Sequence, residues 1–89
     1  MMDEMTTREH RDLVPLVAPD LGVAAVAVSL WLVAEGAEVV EGDRVVELVA
    51  GGATVDLGAP VSGRLVRQLV DEDAPVAVGA ILAEFEAAP

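Results

Sequence analysis

From Leu13 onward, apolar and polar residues alternate in short runs, and glycine or proline separates one run from the next. Period-2 runs broken at close intervals by turn residues predict short strands in a sandwich or barrel. "LVPLVA" (13–18) reads as a strand that Pro15 confines to an edge or a beginning. "AVAVSLWLV" (25–33) alternates, with Val26, Val28, Leu30 and Leu32 on one face and Ala25, Ala27, Ser29, Trp31 and Val33 on the other. "EGAEVVEGD" (35–43) holds a short strand between two glycines. "RVVELV" (44–49) and "ATVDL" (53–57) flank a Gly51-Gly52 turn, a pairing suited to a tight hairpin that demands positive φ. "RLVRQLV" (64–70), "APVAV" (74–78) and "AILAEF" (80–85) complete the series. No run follows the helical period. Residues 1–12 are polar and mixed in charge, and are expected to form a flexible leader ahead of one domain over 13–89.

The runs repeat. Glu35, Val39, Gly42 and Glu47 match Glu72, Val76, Gly79 and Glu84, each 37 residues on, and Leu32-Val33 matches Leu69-Val70. Upstream, Ala18-Pro19 and Gly22 match Ala59-Pro60 and Gly63 at an offset of 41. The first half therefore carries extra length between Gly22 and Trp31. Two related halves of about four strands each predict a pseudo-two-fold β-sandwich, since neither half alone could bury its apolar face.

Composition narrows the chemistry. Hydrophobic residues make up 54% of the chain, yet Trp31 and Phe85 are its only aromatics, so the core must be Val, Leu, Ile and Ala. Cysteine is absent, which excludes disulfides and thiolate chemistry. The net charge of −11 argues against nucleic acid, which needs a basic face. The longest uncharged stretch, residues 21–34, is too short to span a bilayer, and the start of the chain has no apolar signal core. The expectation is a soluble, cytoplasmic protein with no membrane contact. The chain contains no lysine, hence no side-chain amine.

Other chemistry finds little support. Asp71-Glu72-Asp73 falls, by the repeat, on the Glu35-Gly36 turn, which favours a solvated acidic turn over a cation clip. Ser29 and Ser62 lack a base, because the one histidine, His10, lies in the leader. The glycine turn is no phosphate loop, since no helix follows it.

"VAPDLG", followed by "WLVAEGAEVVEGDRVVELVAGGATVDLGAPVSGRLVRQLVDEDAPVAVGAILAEFE", resembles a lipoyl (biotinyl/lipoyl-attachment) domain over Val14 to Glu86. The resemblance implies an all-β flattened barrel-sandwich of two four-stranded antiparallel sheets. Members carry lipoate or biotin on a hairpin-tip lysine, in a pattern like Glu-Thr-Asp-Lys-Ala-Thr-Val. Laid on this chain, Gly51 and Gly52 stand at the Asp and Lys positions, and Ala53-Thr54-Val55 is kept. The resemblance thus implies a degenerate attachment turn (Gly51, Gly52, Ala53) with no cofactor, no metal and no catalytic residue. What remains is binding. Val23, Ala25, Ala27 and Leu30 fall near positions where relatives often expose charge, and such an apolar stretch suits a partner surface. The expected docking residues are Ala25, Ala27 and Leu30, with Glu35 and Glu38 at the rim. By analogy the partner is a 2-oxoacid dehydrogenase-type acyltransferase core, for instance in secondary metabolism, with this chain as its split-off N-terminal domain. The alternatives are a carrier with an altered attachment site and a homo-oligomeric structural protein.

Overall fold

Seven strands form over the alternating runs in a computed structural model that describes residues 13–89. They are β1 (Leu13–Val17), β2 (Val26–Trp31), β3 (Glu38–Val39), β4 (Arg44–Ala50), β5 (Ala53–Gly58), β6 (Gly63–Gln68) and β7 (Ile81–Ala87). The expected leader, with His10, lies outside the described residues. No helix occurs among the described residues. The strands make two antiparallel sheets, in the orders β1-β7-β6-β3 and β2-β4-β5.

The expectation of four strands in each sheet is corrected here. Residues 74–78 do not form a strand. Their pairing with β2 shrinks to one bridge, Ala27 opposite Pro75. Two backbone bonds flank it, Val28 N to Ala74 O at 3.0 Å and Val76 N to Val26 O at 2.8 Å. Proline holds φ near −65°, away from the values of an extended antiparallel strand, and the ladder stops. The segment still occupies the outer edge of β2.

With that edge counted, residues 26–50 and the residues 37 places on occupy equivalent places. β2 corresponds to β6, β4 to β7, and β3 to Pro75-Val76. β5 corresponds to β1 at the offset of 41. The fully buried side chains come as mates: Leu48 with Phe85, Val28 with Leu65, and Val45 with Leu82. Each sheet draws strands from both halves, so the halves are interleaved across the core.

The strict alternation expected over 25–33 is also corrected. The β2–β4 register slips between Val28 and Leu30, making Ser29 an extra residue. Beyond this bulge the faces exchange. Val28 and Trp31 turn to the core, and Leu30 joins Ala27 outside. β6 slips at the equivalent place, between Leu65 and Arg67.

Candidate functional site

The β4–β5 ladder runs to the pair Ala50 and Ala53, leaving Gly51 and Gly52 as a two-residue loop. Their φ values, 59° and 84°, are both positive, as a type I′ turn requires. The turn is exposed. A Cβ on Gly52 would meet nothing within 4 Å, whereas one on Gly51 would lie 3.2 Å from Val23 Cγ1. The tip offers no nucleophile, ligand or attachment atom.

Val23 reaches the tip because of the extra length in the first half. Strand equivalence pairs Gly63 with Val26, although the sequence motif paired it with Gly22. Residues 22–25 are therefore the insertion, and they fold beside the hairpin. Ala24, Ala25, Ala27, Val49 and Pro75 line a shallow open groove of about 500 Å3 that runs up to Gly51 and Gly52.

Of the expected docking residues, Ala25 and Ala27 line this groove. Leu30, 45% exposed, stands on the same sheet, opposite Glu47 of β4. The structure does not bring the two acids to them. Glu35 accepts a hydrogen bond from Gln68 N at 2.8 Å. Glu38 lies on β3 of the other sheet, paired with Arg64. Val49 and Pro75 belong to the apolar surface but escaped the sequence reading. Their proximity depends on strand register, and only a residue-by-residue comparison of the two halves could have indicated it.

Two other polar residues weighed from the sequence, Glu72 and Ser62, have structural roles. Glu72 accepts the Trp31 backbone N–H at 2.9 Å, which fixes the acidic turn to β2. Ser62 Oγ accepts Glu41 N at 2.8 Å. No charged side chain among the described residues is buried. The arrangement holds no desolvated acid or base among the described residues.

Residues 14–85 match the family model for biotin/lipoyl attachment, described as "Biotin-requiring enzyme". No curated protein matches the chain. Solved structures do match. One is a single-chain, multi-domain long-chain acyl-CoA carboxylase, at 29% identity and a TM-score of 0.75. The match covers 88% of this chain and only 7% of the carboxylase chain.

Proposed function

The chain belongs to the biotin/lipoyl attachment family, and from that premise we propose that it is a carrier-type domain that works without cargo, as an interaction module for a larger enzyme. The observation behind this reading is the Gly51-Gly52 tip. An amide-linked biotin or lipoate needs a side-chain amine, and none of the 89 residues is lysine. Side chains that fit the family's prosthetic groups are therefore missing. The tip is a closed type I′ turn whose glycines suit their backbone angles.

In this reading the module docks on a 2-oxoacid dehydrogenase-type acyltransferase core, stabilising or completing it, through Ala25, Ala27 and Leu30. The carboxylase match favours a second partner class, the components of an acyl-CoA carboxylase. Two measurements test the reading. Intact mass after incubation with lipoate ligase or biotin ligase, cofactor and ATP should be unchanged, and an added prosthetic group would refute the cargo-free reading. Co-purification with an acyltransferase core, and separately with carboxylase components, decides between the partner classes. Binding to neither would remove the docking role.

A further inference from the structure

The outer faces of the two sheets present the same positions with opposite chemistry. On β3, β6 and β7, Glu38, Arg64 and Glu86 stand abreast. Arg64 Nη2 bonds Glu86 Oε1 at 2.8 Å, and one row along Arg67 Nε reaches Glu84 Oε1 at 3.1 Å. This face neutralises most of its own charge. The mates of the first row, 37 positions away, are Pro75, Ala27 and Val49, which also stand abreast. The mates of Arg67 and Glu84 are Leu30 and Glu47, again directly opposite each other.

Both arginines have thus become apolar residues, while the carboxylate of the second row is kept. Glu47 faces Asp56 on its other side, and Arg44 takes Asp56 at 3.3 Å. Among the described residues Glu47 makes no ion pair. Leu30 and Val49 beside it are 45% and 37% exposed. This face combines apolar surface with a carboxylate that lacks the cation its mate possesses.

We propose that this face of β2, β4 and β5, with Pro75, docks a protein partner that supplies an arginine to Glu47. The guanidinium takes the place that Arg67 holds beside Glu84. An apolar side chain next to that arginine covers Ala27, Val49 and Pro75. The inference rests on the reading of the chain as an interaction module and gives the chemistry of its partner. Charge complementarity selects this occupant over a second copy. The three arginines among the described residues are already paired, so the described surface of a second copy brings no free cation to Glu47. Arginine suits the position because its fork can bind a carboxylate bidentately while its plane lies on apolar surface.

The test uses hexylguanidinium as the probe, titrated into the isotope-labelled chain and followed by amide chemical shifts. Saturable shifts are expected at Ala27, Leu30, Glu47 and Val49. Glu47→Gln should weaken them roughly fivefold, the scale of an exposed ion pair. Leu30→Arg rebuilds within the chain the pair that Arg67 makes with Glu84, and should abolish the shifts without changing the fold. Equal response in the parent and Glu47→Gln, no saturation at these amides, or shifts centred on Glu84 and Glu86 would overturn the proposal. A dimer in light scattering that Leu30→Arg dissolves would also overturn it, by assigning the face to a second copy. An acyltransferase core that ignores the parent chain would refute only the partner named under Proposed function, because the guanidinium result stands independently.

Discussion

Trp31 and Gln68 are structural equivalents that make the same two hydrogen bonds from different side chains. Trp31 N donates to Glu72 Oε2 and Gln68 N to Glu35 Oε2, at 2.9 and 2.8 Å. Trp31 Nε1 donates to Val70 O and Gln68 Nε2 to Val33 O, both at 2.9 Å. An indole and a carboxamide therefore fill one role, tying the end of a strand to the turn from the other half. Trp31 adds apolar contact with the core that Gln68 does not supply.

Trp31→Ala should cost about 3 kcal/mol, the low end for a large aromatic because Trp31 is only partly buried. Trp31→Gln copies the other half and should recover about 1 kcal/mol of that by keeping a donor for Val70 O. Thermal melting of the two variants checks the order. Equal melting temperatures would mean that packing alone matters at this site.

Glu35→Ala and Glu72→Ala should each cost about 1 kcal/mol, since each removes the acceptor of one backbone N–H on an exposed turn. The sites serve different strand ends, so the double variant should show the sum. Urea titration measures all three.

Gly63→Ala should be far more damaging, at about 3 kcal/mol or more. A Cβ there collides with the Glu86 carbonyl oxygen and lies 2.9 Å from Ala88 N, both backbone atoms of the β7 segment. Gly22→Ala, at the motif's other copy, meets nothing within 4 Å and bears only the cost of its φ of 80°, about 1 kcal/mol. Circular dichroism during thermal unfolding separates the two.

Gly52→Lys should fold, because the position is open, at about 1 kcal/mol for its φ of 84°. It should gain at least partial lipoylation, read as a mass increase after treatment with lipoate ligase. Gly51→Lys should fold less well, since its Cβ would press on Val23. A folded Gly52→Lys that no ligase modifies would show that the hairpin as well as the amine has diverged.

Most of the fold could be read from the chain because two regularities reinforced each other. Alternation located the strands, and the offset of 37 paired them. The failures came where a local event overrode a regular pattern. Ser29 inserts one residue and reverses the face of everything after it, so Leu30 lies opposite Val28, with which its alternation had grouped it. Pro75 ended a strand that the repeat had predicted. The turn at Gly51-Gly52 was evident from two adjacent glycines. The apolar face was only half visible. Ala25, Ala27 and Leu30 are near neighbours in the chain, but Val49 and Pro75 join them through cross-strand pairing. Glu38 was misgrouped for the converse reason. It is close to Leu30 in sequence yet belongs to the opposite sheet.

The operation that carries β4 onto β7 and β5 onto β1 also carries the closed turn at Gly51-Gly52 onto the gap between Ala87 and Leu13. The domain therefore has two matching corners, joined at one and open at the other. Residues Leu13 and Glu86 already face each other in the ladder as Thr54 and Val49 do, so a Gly-Gly-Ala bridge from Ala87 to Leu13 would copy the existing corner. Cutting between Gly51 and Gly52 would then give a circular permutant that begins at β5 and ends at β4, with every ladder intact and the two halves exchanging roles.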